Sequence, residues 1–319
     1  MLYEFTKIIA RIAFRFYCRD LVINNRELLK IDGPLLLASN HPNSFLDAII
    51  LCTLFDKPVY SLARGDVFKN SFIAKILMTL KLLPVYRVSE GVENLDENYK
   101  TFDQCKEIFK QKGIVLIFSE GKCVNEWHLR PLKKGTARLA ISSWEDGIPL
   151  KVLPVAINYS SFRKIGKNIH LFFGAFITKK DLDIEQGYGR SLQHFNALLQ
   201  KQLSPFVYEI ENSDKKKVRS ILFAHQPALK KILLFIPSVL GCLLHAPLYL
   251  PVKYSARKYT GTGHYDSLIV TLLFMSYPIY LLVLTLVVYF FTTQWYSLLL
   301  ILILPFTSWA YLHLKRQLD

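Results

Sequence analysis

Leu35-Leu36-Leu37-Ala38-Ser39-Asn40-His41-Pro42-Asn43-Ser44-Phe45-Leu46-Asp47-Ala48 decides how this 319-residue chain is read. An apolar run of strand length ends near Ala38. A turn rich in Asn, Pro and Ser follows, and a helix is predicted to begin at Asn43 or Ser44. The same alternation extends outward. Apolar runs predict strands at 35–38, 59–63, 82–86, 114–118, 152–158 and 169–173. Helical stretches lie between and after them, near 45–54, 66–80, 95–111, 134–144 and 188–211. Strands separated by helices predict an α/β domain with a largely parallel central sheet flanked by helices, over residues 30–212. Such sheets carry their sites at the carboxyl ends of strands, and His41 lies at one.

The chain as a whole is apolar and basic. Hydrophobic residues make up 51%, and 40 Lys+Arg against 25 Asp+Glu leave a formal charge of +15. The mean hydropathy is +0.23. A positive excess favours an anionic partner, and the apolar content selects a lipid bilayer over nucleic acid. No stacking or helix-turn-helix pattern supports a nucleic-acid partner. Residues 1–29 read as an N-terminal amphipathic helix at the membrane interface, because Lys7, Arg11, Arg15 and Arg19 recur every four positions. A solvated face on an ordinary helix is the alternative. The first 20 residues lack the pattern of a cleaved secretory signal. Residues 268–291 are uncharged and long enough to span a bilayer, and a second apolar run follows at about 295–314. Residues 268–319 therefore read as a transmembrane hairpin, with basic residues at both outer ends placing them, and the catalytic domain, on the cytoplasmic side. Residues 213–267 read as a basic linker with a re-entrant or interfacial segment at 232–251, broken by Pro237, Pro247 and Pro251; a third span is the alternative. The five cysteines show no metal-ligand or disulfide spacing and read as reduced and structural, so no metal is expected.

Polar residues gather where strands end. Asp47, on the first turns of the helix after His41, can hold one ring nitrogen protonated and leave the other to take a proton from a hydroxyl. No serine accompanies the pair, so a substrate alcohol would be the nucleophile. Phe118-Ser119-Glu120-Gly121 ends another strand, where Glu120 and Gly121 suit a polyol. Arg130, Lys133 and Lys134 sit at the next helix start, where the helix field also favours phosphate. Arg64 and Arg87 end two further strands. The set describes a site for a hydroxylated, phosphorylated substrate.

These segments resemble, in order over roughly residues 35–176, the glycerolipid acyltransferase superfamily of lysophosphatidate and glycerol-3-phosphate acyltransferases. His41–Asp47 resembles its first motif, Arg64 and the segment 83–87 fall in its second motif region, and Phe118 to Gly121 resembles its Phe-Pro-Glu-Gly motif. Leu153-Pro154-Val155 resembles the fourth motif, and Gly174 matches the glycine after the following strand. The resemblance implies a phospholipid-synthesis O-acyltransferase without a cofactor, taking acyl-CoA or acyl carrier protein as co-substrate and a phosphorylated glycerol as acceptor. Two departures stand out. Five residues, not the common four, separate His41 from Asp47, which looks like the glycerol-3-phosphate/dihydroxyacetone-phosphate branch. Ser119 replaces the proline of the third motif, and Lys122-Cys123 stand where an arginine is common. Lysophosphatidate, a lysophospholipid or an aminolipid is the alternative acceptor, and a non-catalytic membrane lipid-binding protein is the alternative from another class.

Overall fold

The computed structural model describes residues 1–86, 95–182 and 187–317. Seven strands form one sheet in the order β1-β7-β6-β2-β5-β3-β4. They are β1 (Cys18–Ile23), β2 (Leu35–Ser39), β3 (Val59–Arg64), β4 (Leu82–Val85), β5 (Ile114–Phe118), β6 (Lys151–Tyr159) and β7 (Lys167–Phe173). The strands from β6 through β2, β5 and β3 to β4 pair in parallel. Ser39 lies opposite both Phe118 and Val155, so β2 and β5 end together at one carboxyl edge. Central β2 is apolar at four successive positions and fully buried, as a parallel strand covered on both faces must be. The expected largely parallel sheet with flanking helices is present.

The chain divides into two compact units. The first comprises Met1–Arg11, Val22–Asn158 and His170–Asn212. Its helices are α2 (Phe45–Leu54), α3 (Ser71–Thr79), α4 (Leu95–Lys110), α5 (Lys134–Glu145) and α6 (Tyr188–Leu203). Leu36, Val115, Phe109, Trp144 and Phe195 belong to one buried cluster between helices and sheet. Trp144 donates its indole N–H to Leu150 O at 2.9 Å, so the ring is buried without an orphaned donor.

Helix α1 (Leu2–Tyr17) is amphipathic in an unexpected sense. The basic stripe does not face outward as a whole. Lys7 is buried and donates to Asp56 O at 2.8 Å, and Arg11 Nε donates to Thr53 O at 3.1 Å. Both cations thus serve the carboxyl end of α2, where the last carbonyls of a helix lack partners. Leu2, Phe5, Ile8 and Ile12 are exposed, alongside Glu4, Arg11 and Arg15. The helix also stops at Tyr17, and the chain enters the sheet as β1. The charged pair Arg19-Asp20 inside that strand hides its periodicity.

The second unit comprises Ile12–Leu21, Tyr159–Ile169 and Ser213–Asp319. It holds α7 (Lys215–Leu222), α8 (Ala228–Ala256), α9 (Tyr265–Thr292) and α10 (Leu300–Leu314). Among the described residues, three helical segments are long and apolar enough to cross a membrane: Ala228–Tyr259, Tyr265–Thr292 and Trp295–Leu314. The latter two coincide with the expected hairpin. The segment expected to break at its prolines is instead one continuous 29-residue helix, α8, running through Pro237, Pro247 and Pro251. Each proline removes one backbone bond, and neighbouring helices and polar side chains make such losses tolerable in apolar helices. Gly241 lets α8 approach α10 closely, since a Cβ there would collide with the Thr307 carbonyl. At the start of α9, buried Asp266 pairs with buried Lys167 at 2.5 Å and accepts from the Tyr17 hydroxyl at 2.7 Å. Either charge left alone there would be costly, so the two stand or fall together.

Candidate active site

Three segments meet at the carboxyl edge where β2 and β5 end. Ser119 N–H donates to Ser39 O at 2.8 Å, extending the pairing one residue past the strands. His41 follows β2. Its Nδ1 lies 2.9 Å from Asp47 Oδ2, and its ring stacks on Phe118 with centroids 3.9 Å apart and planes 12° apart. Asp47 is fully buried, in the first turn of α2, and also accepts the Asn43 N–H at 2.8 Å. A buried acceptor assigns the ring proton to Nδ1. Nε2 then carries the lone pair, and among the described residues nothing hydrogen-bonds it.

The five-residue spacing is absorbed in the loop. One extra helical residue would rotate Asp47 by about 100° away from the histidine. The turn takes up the residue instead: Ser44, immediately before α2, has φ 54° and ψ −146°. A non-glycine residue in this region costs on the order of 1–3 kcal/mol and persists where the surroundings determine it. Those surroundings are visible. The Ser44 N–H donates to Cys123 Sγ, Asn125 Nδ2 donates to Pro42 O at 2.7 Å, and Asn40 bonds both the N–H and the carbonyl of Ile157. Cys123 and Asn125 carry no signal in the sequence, because nothing in their spacing marks them as partners of a loop about 80 positions away.

Glu120 is buried and uses both carboxylate oxygens on backbone. Oε2 accepts the His41 N–H at 2.9 Å and Oε1 the Arg130 N–H at 3.0 Å. Burial pushes its carboxyl above the usual carboxylate range, and the two N–H donors oppose that rise. The structure therefore gives Glu120 a bracing contact between the histidine loop and the basic segment, besides any contact with a polyol. Gly121, at φ +67°, closes a turn whose N–H reaches Phe118 O, and a Cβ there would stand 3.0 Å from Lys133 Cγ. Glycine satisfies both demands.

Of the cations expected at this edge, Lys133 is tied in by its backbone, donating to Ser119 O at 2.7 Å, while its side chain and that of Lys134 are exposed. Helix α5 starts at Lys134 with no side-chain cap and no acidic residue in its first turn, which leaves its amide donors to an anion. Arg130 Nη1 is 3.7 Å from Glu126 Oε1. Arg64 ends β3 at the same edge, but its guanidinium pairs with Asp66, Nε at 3.2 Å and Nη2 at 2.5 Å. Arg87 lies outside the described residues. His41, Asp47, Glu120 and Arg130 are thus joined by direct contacts, Gly121 and Lys133 bond to the adjoining Phe118 and Ser119, and Arg64 pairs with Asp66.

Chemically, the arrangement offers an oriented imidazole with one open nitrogen beside an electropositive helix start. The family described as Acyltransferase matches residues 20–158. No curated protein matches the chain. Among solved structures, the crystal structure of the 1-acyl-sn-glycerophosphate (LPA) acyltransferase, PlsC, from Thermotoga maritima is similar at 15% identity, with a TM-score of 0.45 over 63% of this chain and 78% of that one. The match to the Acyltransferase family thus covers residues 20–158, less than half of the chain.

Proposed function

We propose that this is a membrane-bound O-acyltransferase of phospholipid synthesis, moving a fatty acyl group from a thioester of coenzyme A or acyl carrier protein to a hydroxyl of glycerol 3-phosphate or dihydroxyacetone phosphate. The carrying observation is the 2.9 Å contact between His41 Nδ1 and Asp47 Oδ2, which leaves Nε2 open at the sheet edge. Nε2 takes the acceptor's hydroxyl proton as the oxygen attacks the thioester carbonyl carbon. The buried Asp47 carboxylate stabilises the imidazolium that forms. Collapse of the tetrahedral intermediate breaks the C–S bond, and the imidazolium returns its proton to the departing sulfur. The thioester is already activated, so the steps need no metal or further cofactor.

Arg130, Lys133, Lys134 and the open start of α5 hold the acceptor phosphate, with Arg64 at the end of β3 and Arg87 as further candidates. Glu120 and Gly121 shape the ground between base and phosphate. The long spacing of the first motif supports the glycerol-3-phosphate reading. Lys253, Arg257 and Lys258 before α9, with Lys315 and Arg316 after α10, support placing both outer ends of that hairpin and the catalytic domain on the cytoplasmic face of the membrane.

The test is direct. Purified enzyme is incubated with acyl-CoA or acyl carrier protein thioester and, separately, glycerol 3-phosphate, dihydroxyacetone phosphate, lysophosphatidate, lysophosphatidylcholine and an aminolipid acceptor. Turnover with one of the first two and none with the others is expected. Turnover confined to a lysolipid or aminolipid would move the acceptor assignment. Lipid binding with no turnover on any acceptor would leave a non-catalytic protein.

A further inference from the structure

Part of the positive charge of this chain gathers in one place. Within the second unit a cavity of about 930 Å³ is lined by seven cations, among them Arg19, Lys216, Arg219, Lys231, Lys315 and Arg316. No carboxylate lines it, and among the described residues none of these side chains forms an ion pair. One wall is apolar, built from Phe235 and Val239 of α8 and Leu314 at the end of α10. None of the proposed active-site residues lines it.

The cavity is built rather than incidental. Arg19 is 9% exposed, and its Nη2 donates to the carbonyls of Leu312 at 2.5 Å and Lys315 at 3.0 Å, fixing the guanidinium against the end of α10. Its Nε and Nη1 have no hydrogen-bond partner. Buried N–H groups without acceptors are costly, more so on a charged group. Gln317 bonds both the N–H and the carbonyl of Ala224 and accepts from Asn168, so hydrogen bonds within the protein hold the walls. Burial first, then the neighbouring Arg19, Lys167 and Lys164, bring the Lys315 ammonium down to about 7, with Asp266 opposing. An anion in the cavity would reverse each of these penalties.

We propose that this cavity binds the phosphate head group of one anionic membrane phospholipid per chain, with the acyl chains lying against α8. The cations select a phosphate and discriminate against zwitterionic lipid, whose own ammonium they repel. The apolar wall selects a lipid over free phosphate. It continues into Ile232, Ile236 and Leu240, exposed on a helix long and apolar enough to cross a membrane.

The full chain in phosphatidylcholine nanodiscs is titrated with dioctanoyl phosphatidylglycerol, a phosphodiester that is not a product of the proposed reaction. Saturation near one per chain is expected, with Lys216→Gln/Arg316→Gln weakening binding by about tenfold or more. Both residues are exposed, so the fold should survive their loss. Lys253→Gln/Lys258→Gln removes the same charge outside the cavity and should leave affinity unchanged. Equal losses in the two double variants would reduce the effect to diffuse surface attraction and overturn the site. Displacement by inorganic phosphate at matched concentration would overturn the lipid assignment.

Discussion

Asp47→Asn isolates the electrostatic part of the proposed mechanism, because the amide keeps the shape of the carboxylate and removes its charge. Asp47 is fully buried, and 15% of the His41 side chain is accessible, so water screens the pair weakly. With Nδ1 and Oδ2 2.9 Å apart, an effective dielectric of about 20 puts the imidazolium–carboxylate attraction at about 6 kcal/mol. That is the ceiling, roughly four orders of magnitude in rate. The floor is the net worth of one charge-assisted hydrogen bond, about 1.5–3 kcal/mol, or roughly 10- to 150-fold. The expected fall in kcat therefore lies at about 10–10⁴-fold. The acceptor KM should hold, because Asp47 faces the histidine and not the phosphate end. Folding should also hold, since an amide oxygen can still accept the Asn43 N–H. The assay is release of free thiol from acyl-CoA at saturating acceptor, with thermal unfolding as the control. A folded variant with kcat within about tenfold of wild type would sink the argument, since the measured charge effect would lie below what this geometry requires.

His41→Ala should abolish acyl transfer while Tm and membrane association stay at wild-type values; retention of most turnover would remove the general base. Phe118→Leu deletes the ring stacked on His41 and should lower kcat more than it raises acceptor KM, since the loss is one of imidazole positioning; a pure KM effect would place Phe118 in substrate binding. Lys315 has its ammonium lowered to about 7 from 10.5, among Arg19, Lys167, Lys164 and Asp266. It is protonated in both states below about pH 7, so its cost is full there. Between pH 7 and 10.5 only the unfolded chain keeps the proton, so stability rises with pH in that window. Thermal scans should show this slope in wild type and lose it in Lys315→Gln; an identical slope in both would assign it elsewhere. Gly241→Leu should separate α8 from α10 and destabilise the detergent-solubilised protein by several kcal/mol, as overpacking against a backbone carbonyl does; an unchanged Tm would deny the close approach.

The strands were legible because a buried parallel strand needs an unbroken apolar run, and 35–38, 114–118 and 152–158 supply one each. The edge strand β1 was not, because Arg19 and Asp20 lie in its middle and no second apolar face is required at an edge. His41 and Asp47 could be singled out from a turn at a strand end, but not how they meet across five intervening residues. That depends on a backbone conformation at Ser44 which serine does not advertise, and on Cys123 and Asn125 from a distant loop. Glu120 was legible as a site residue, while its use of both oxygens on backbone amides is a three-dimensional fact. The continuity of α8 was hidden for the opposite reason: three prolines are a strong local signal, and packing against α10 outweighs it.

The basic residues carry the larger correction. Counted from composition, the formal charge of +15 is a uniform attraction for an anionic surface. In the structure, part of it turns inward. Lys7 and Arg11 complete the carboxyl end of α2, and Arg19 completes that of α10, although all three belong to one stripe with a period of four. A period of four identifies a helix face, and it cannot say whether carbonyl oxygens or lipid phosphates stand opposite. Arg19 does both kinds of service at once: one nitrogen of its guanidinium is committed to carbonyls, and the other two remain without partners beside a cavity lined by cations and no carboxylate. Charge that binds carbonyls keeps its sign but has donors committed within the fold, whereas charge held unpaired in a fixed cavity selects a ligand. The attraction of this protein for anionic lipid should therefore be saturable and local rather than proportional to its net charge.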